Sequence, residues 1–481
     1  MRLINPLIIL RILSNVLLIE TVSYLLCLPV VFIYRESPDA FLWSATITII
    51  LSVIFYYISR KGEIKKISTR DGYLAVTLSW ILFSVLGALP YLISGTIPSF
   101  IDAFFESTSG FSTTGSSVLT NVEILPFSIL FWRSLTHWIG GLGIIVLVII
   151  ILPSLRVTGY QLFSLESSLK EKIHPRTNAI GFRVMFIYLG LTAAQILLLS
   201  FGDMNLFDSF CHSFGTVATG GFSTRNNSLA HYSSYSQYIV MIFMFLAGTS
   251  QLVYYYLFKL NFKKVKQNEE LWFYIAVAVI AGAIATFILL VNTSKTFETA
   301  FREGFFQVIS IMTCTGFASA DYLLWPVTGM LLLFILMFSG GSTGSTSGGI
   351  KMARHLIVLK NIKNVFVKLN HPKAVSLIKL NGKVVAENTN ISIISFVALY
   401  LFIFLLGSIF LLANGADLIT SASSVATCMA SIGPGLGTVG PMSNFAHLPD
   451  ASKFVLSLLM ILGRLEIIIV FTLFTRTYWK R

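Results

Sequence analysis

Charge is scarce in this chain: 11% of its 481 residues are Asp, Glu, Lys or Arg. Cysteine and histidine are scarce too, at four and seven residues. Cys27, Cys211, Cys314 and Cys428 stand far apart in apolar or turn-like sequence without paired ligand spacing, so neither a disulfide framework nor a zinc site has a basis. A membrane-embedded enzyme needs clustered His, Asp or Glu for acid and base work. His137 and Glu466 stand almost alone in that role, which speaks against an enzyme.

Apolar sequence is abundant. Hydrophobic residues make up 55% of the chain, more than a soluble domain hides in one core. The composition therefore predicts an all-helical, multi-pass membrane protein. Stretches of about 20 apolar residues, the length of a membrane helix, fall near 6–33, 39–59, 72–94, 127–153, 180–202, 236–258, 271–292, 326–350, 388–412 and 452–475. The first carries Glu20 and lacks a small-residue cleavage site before Arg35, so it is expected as a retained span. Lys and Arg outnumber Asp and Glu by 34 to 21. They cluster after every second span: Arg60 to Arg70, Arg156 to Arg176, Lys259 to Lys266 and Lys351 to Lys383. That pattern indicates cytoplasmic loops rather than a nucleic-acid surface, and puts both termini in the cytoplasm.

Four turn-prone segments with a glycine interrupt the apolar sequence, at Gly115, Gly221, Gly316 and Gly435, spaced by 106, 95 and 119 residues. Each interval accommodates two membrane helices and a re-entrant segment, which predicts four pseudo-symmetric pore repeats after a leading two-span domain. The runs before the glycines, 102–111, 208–217, 298–312 and 417–432, are too short to cross a bilayer and read as half-helices. Irregular backbone at membrane depth needs protein or a water-filled cavity to satisfy its carbonyls, and four such loops on one axis would form a cation site. Asp102, Asp208 and Glu303 lie thirteen residues before their glycines, with Ala422 in the fourth copy. They read as helix caps or dipole partners, or else as an outer funnel for cations.

The glycine segments, the 338–351 run, Gly463–Glu466 and Trp138–Leu147 resemble the Trk/Ktr/HKT superfamily of potassium transporters, and the ten spans its TrkH-type branch. The likeness covers the whole chain. It implies potassium uptake across the bacterial inner (plasma) membrane, as a gated channel or an ion-coupled symporter. It also implies a homodimer and a cytoplasmic, nucleotide-binding regulatory subunit of TrkA type. Potassium would be the transported ion, and no nucleotide or prosthetic group is expected in this chain. Carried over, the filter would comprise Thr113, Thr114 and Gly115; Thr219, Gly220 and Gly221; Cys314, Thr315 and Gly316; and Gly433, Pro434 and Gly435. The expected units are 1–66 for the leading domain, then repeats at 67–158, 159–266, 267–370 and 371–481. A serine in the first repeat accompanies sodium transport in plant relatives, so Gly115 points to potassium. A sodium-permeable or sodium- or proton-coupled relative is the alternative.

Gly340, Gly341, Ser342, Thr343, Gly344, Ser345, Thr346, Ser347, Gly348 and Gly349 form a poor helix inside the eighth span. By resemblance this run is an intramembrane gating loop in the third repeat. Arg464 sits in the last span, where an unpaired charge costs roughly 2.5 to 3.5 kcal/mol, and so must face protein or water. The resemblance makes it a positive barrier beside the gate. Arg133, His137 and Trp138 are expected to anchor the fourth span at the outer interface or to close a hydrogen bond within the bundle. Gly435, Gly437 and Gly440 spell a dinucleotide fingerprint, but no strand precedes them.

Overall fold

The computed structural model describes residues 4–60, 68–146, 177–373 and 376–479. The expected cytoplasmic charges Lys61, Lys65, Lys66, Arg156, Lys170, Lys172 and Arg176, and the unit boundaries at 66/67 and 158/159, lie outside these residues. The described chain is mostly helical; its strands are a two-residue hairpin pairing Lys379–Leu380 with Lys383–Val384. Large aliphatic and aromatic side chains face outward, as at Phe32, Ile33, Phe186 and Phe287, while many serines and threonines are buried. An apolar exterior with buried hydroxyls among the core side chains is the pattern of a protein dissolved in lipid.

Six helices are long and apolar enough to cross a membrane among the described residues, and eight if each sharply bent pair counts as one. Ten were expected. Of the other two, Phe127–Val146 is described only to residue 146, and Val327–Leu336 stops where the glycine-rich run begins. The bent pairs are also a departure. Ser234–Ala247 and Gln251–Phe258 meet at 93°, across Gly248 to Ser250, and Asp450–Arg464 meets Ile467–Leu473 at 110°. The second bend turns on Glu466, a non-glycine residue with φ 66°.

The leading helices Pro6–Leu25 and Asp39–Ser59 pack through hydroxyls, with Ser14 bonded to Ser52 and Thr21 to Thr48 at 2.9 Å. Small side chains let membrane helices approach, and each hydroxyl finds a partner away from lipid. Tyr24 attaches this pair to the next unit by donating to the Leu86 carbonyl at 2.8 Å and packing on Trp132, ring centroids 4.7 Å apart. Trp132, fully buried, donates to the Gly87 carbonyl at 3.2 Å.

Candidate functional site

Four short helices, Phe100–Phe111, Leu206–Val217, Phe297–Met312 and Leu418–Ala430, occupy the predicted half-helix runs. Each starts on a side-chain cap, from Ser99, Asn205, Thr296 and Asp417. These are preferred cap residues because a short polar side chain reaches the free amides of the first turn. The Asp417 carboxyl is held below the usual carboxylate range by hydrogen bonds from the Thr420 side chain and backbone.

All four also end alike. The residue that leaves the helix is left-handed although it is not glycine: Thr113 (φ 53°), Thr219 (55°), Cys314 (58°) and Ser431 (58°). The next amide reaches back five residues, as Thr114 to the Ser109 carbonyl (2.8 Å), Gly220 to Gly215 (2.7 Å), Thr315 to Ser310 (2.8 Å) and Ile432 to Thr427 (2.9 Å). This is the Schellman closure, which satisfies end carbonyls. A glycine follows in each copy at positive φ, 85° at Gly115, 85° at Gly221, 81° at Gly316 and 104° at Gly433.

The four exits close on one another in sequence. A Cβ on Gly115 would collide with the Gly220 carbonyl oxygen, one on Gly221 with that of Thr315, and one on Gly316 with that of Ile432. One on Gly433 would meet the Thr114 oxygen at 2.8 Å. Every glycine thus faces the carbonyl just ahead of the next glycine, and the fourth returns to the first. Side chains are barred there twice, by φ and by the neighbouring carbonyl.

This geometry corrects the fourth copy. Gly433, Pro434 and Gly435 were expected to match the other triplets; the matching residues are Ser431, Ile432 and Gly433. Gly435 lacks a positive φ, a Cβ on it would press on Ser423 and Val439, and its carbonyl accepts from Tyr322 Oη at 2.8 Å. Packing agrees with the new register. Gly140 abuts the Phe111 carbonyl and Gly463 the Met429 carbonyl, each four residues before its ring glycine.

Buried ion pairs brace the ring from behind. Glu106, fully buried, accepts from Arg133 Nε at 2.9 Å, Ser117 Oγ at 3.0 Å and the Val118 amide at 2.9 Å. Arg133 also donates to the Ser223 carbonyl at 3.1 Å, joining the first copy to the second. Its guanidinium covers the Phe222 ring at 4.1 Å, and His137 stacks on the same ring at 4.1 Å. Arg133 and His137 are therefore bundle residues and do not anchor the helix at the interface. Trp138 bonds Thr192 at 3.2 Å. The three acids before the glycines are paired as well: Asp102 with Lys453, Asp208 with Thr224 (2.6 Å) and Arg225 (3.6 Å), and Glu303 with Lys295. None of them is the capping residue.

The glycine-rich run lies on the side of the ring where the short helices end. Ser339 and Ile350 bridge in parallel at its base, and the Ser339 carbonyl is 3.5 Å from Cys314 Sγ. Thr346 Oγ1 donates to the Val217 carbonyl at 3.0 Å, and Gly348 leaves no space for a Cβ against Ala430 and Ser431. Gly341 and Ser345 are held within the run, by Ser347 Oγ at 2.8 Å and by the Ser342 carbonyl at 2.7 Å. The run so contacts the ends of the second, third and fourth short helices. Thr343 ties it to Glu270 through its amide (2.6 Å), and Ser342 to the Gly248 carbonyl (2.8 Å). Gly344 and Gly349 take positive φ.

Arg464, 3% exposed, points into this arrangement. Its Nη1 donates to the Thr346 carbonyl at 2.7 Å and its Nη2 reaches the Gly140 carbonyl at 3.5 Å. Among the described residues, carbonyl dipoles and not a carboxylate therefore receive its charge. On the opposite side of the ring a cavity of about 110 Å³ opens over Gly115, Gly221, Gly316 and Pro434. Among the described residues no group of three or more His, Cys, Asp or Glu is placed to hold a metal.

Known proteins are similar to this chain in sequence and fold. The profile of the TrkH family, described as cation transport protein, matches residues 39–480. The Trk system potassium uptake protein TrkH of Salmonella typhimurium is 36% identical over 461 residues, covering 94% of each chain. The Trk system potassium uptake protein TrkG of Escherichia coli is 33% identical, with 94% of each covered. The crystal structure of the potassium transporter TrkH from Vibrio parahaemolyticus superposes with a TM-score of 0.89 at 31% identity, over 98% of this chain and 99% of that one. These relatives are transport proteins and not enzymes. With the profile spanning most of its length and such relatives covering nearly all of it, the chain belongs to the TrkH family of cation transport proteins.

Proposed function

We propose that this chain carries potassium into the cell through the ring of glycine-flanked carbonyls. The observation that carries the reading is the closed succession of the four exits, in which each glycine faces the carbonyl before the next. Backbone oxygens around one axis replace the hydration shell of a cation without titrating, and dipoles at the carboxyl ends of four short helices add negative potential. The filter residues are Thr113, Thr114 and Gly115, Thr219, Gly220 and Gly221, Cys314, Thr315 and Gly316, and Ser431, Ile432 and Gly433. The relatives named for potassium uptake support the choice of ion. An inward cation gains about 2.3 kcal/mol per 100 mV, enough for roughly fifty-fold accumulation without chemical coupling.

In this reading the units are 1–66 and the pore repeats 67–158, 159–266, 267–370 and 371–481, with ten spans and both termini cytoplasmic. The run Gly340–Gly349 is the gate and Arg464 its electrostatic plug. The chain works as a homodimer in the inner membrane under a nucleotide-binding cytoplasmic regulator of TrkA type, a reading supported by relatives named as parts of a Trk system.

The test is cation flux in sealed liposomes, potassium against sodium at equal gradients, with Gly115→Ser alongside. Potassium flux above sodium flux, and a smaller ratio in the variant, is the expected result. Equal fluxes unaffected by Gly115→Ser would remove the ring as the selective element and favour a sodium-permeable transporter. If the intact chain is silent, Arg464→Ala serves as the open form for the same comparison.

A further inference from the structure

A cleft away from the ring separates the helix Thr177–Ser200 from Gln251–Phe258. Arg183, Phe186, Ile187, Gly190 and Leu191 line one wall at helical spacing, and Tyr254, Tyr255, Phe258 and Lys259 line the other. Its volume is about 700 Å³, within the range of small-molecule sites. The Gln251–Phe258 wall leaves the preceding helix Ser234–Ala247 at 93°. Its walls are apolar and open: Phe186 is 67% and Phe258 78% exposed. A Cβ on Gly190 would meet nothing within 4 Å.

Among the described residues the only charges that line the cleft are two cations at one end. Arg183 and Lys259 both approach the Tyr255 ring, each at 5.4 Å from its centroid, and Arg183 Nη1 donates to Tyr255 Oη at 3.3 Å. Lys259 begins a basic, apolar-flanked stretch, Lys259 to Lys266, with Leu260 and Phe262 exposed. The positive-inside pattern puts this end at the cytoplasmic interface. An apolar slot that opens to lipid, with two cations at headgroup depth, matches a molecule with an acyl chain and a negative head.

We propose that the cleft binds one anionic phospholipid of the inner leaflet, its acyl chain along Phe186, Ile187 and Gly190 and its phosphate between Arg183 and Lys259. The phenol of Tyr255, which both cations approach, offers a hydroxyl to the headgroup. The site lies outside the ion path and requires only that the chain spans the membrane.

Native mass spectrometry of the detergent-purified full chain tests this without measuring flux. With phosphatidylglycerol or phosphatidylcholine added at equal concentration, the anionic lipid is expected to be retained preferentially, on the order of thirtyfold, as two basic groups at an anionic surface give. Arg183→Gln with Lys259→Gln removes the preference. Gly190→Leu fills the slot with both cations intact and is expected to cut retention of phosphatidylglycerol at least tenfold, with thermal unfolding unchanged. Equal retention of the two lipids, or a preference that survives the double substitution, overturns the proposal. Normal retention in Gly190→Leu overturns the slot, and displacement by inorganic phosphate would make the site one for a soluble anion.

Discussion

Arg354 and Glu466 lie 112 positions apart in sequence and share an ion pair in which Arg354 Nη2 reaches both carboxylate oxygens, at 2.5 and 2.7 Å. The pair brackets the glycine-rich run. Arg354 stands on the helix that follows the run, with its guanidinium 3.9 Å over the Phe396 ring, and Glu466 occupies the bend two residues after Arg464. Movement of the Met352–Asn370 helix is thereby linked to the arginine that touches Thr346. The expected outcome is coupling: Arg354→Gln and Glu466→Gln each cost about 2 kcal/mol of unfolding free energy, and the double variant costs at least about 1 kcal/mol less than their sum. Strict additivity in chemical denaturation would mean the two sides move independently.

Arg464→Ala removes a positive charge, its contact with the Thr346 carbonyl of the run and its contact with the Gly140 carbonyl. Cation flux in liposomes without a regulator is expected to rise at least tenfold, and shortening Gly340–Gly349 should do the same. Arg464→Lys keeps the charge but cannot fork between Thr346 and Gly140, so it should lie between wild type and Arg464→Ala. Unchanged flux in all three would remove the run and Arg464 from gating.

Two glycines with similar φ separate strain from collision. Gly95 (φ 70°) has open space where a Cβ would stand, whereas Gly221 (φ 85°) faces the Thr315 carbonyl. Gly95→Ala should cost about 1 kcal/mol and leave the potassium-to-sodium ratio intact. Gly221→Ala must in addition displace Thr315, and the ratio is expected to fall. Parallel thermal unfolding and flux measurements decide it.

Glu106 and Arg133 are buried together, so removing one strands the other's charge. Arg133→Gln is expected to cost about 3 to 5 kcal/mol, and Arg133→Gln with Glu106→Gln less than either extreme of that range. Recovery of folded yield in the double variant is the readout.

Asp417 supplies the cap of the fourth short helix with a carboxylate whose folded value is depressed. A depressed group stabilises the fold above its unfolded value, near 3.9, and loses that contribution as pH falls through the folded value. Asp417→Ala should therefore cost about 1 kcal/mol at pH 7. Asp417→Asn should cost little there and flatten the acid limb of the unfolding midpoint below about pH 4. A midpoint that falls identically in both proteins would assign the acid limb to other carboxylates.

Much of this architecture was legible because it is written in local signals. The half-helix lengths, the glycines that follow them and the ten-residue run of small residues all break an apolar background, and each was placed within two or three residues. The fourth triplet was misplaced for a local reason as well: Gly433, Gly435 and Gly437 stand at alternate positions, and composition cannot tell which one follows the left-handed exit. That information resides in Ser431, a serine with φ 58° that no propensity marks. The 93° bend had a signal in Gly248, Thr249 and Ser250, but hydropathy ran through it. The ion pairs had none. Glu106 and Arg133 are 27 residues apart, Arg354 and Glu466 far more, and only tertiary packing brings them together.

The ring of glycines and carbonyls is assembled from one chain, so its quarters can diverge. In an assembly of four identical subunits every substitution is made four times, and a change that narrows the passage narrows it from all sides at once. Here Thr113, Thr219, Cys314 and Ser431 already differ at equivalent places. Mutation can alter one wall while three hold their shape, and under the proposed function ion preference is then adjusted in small increments.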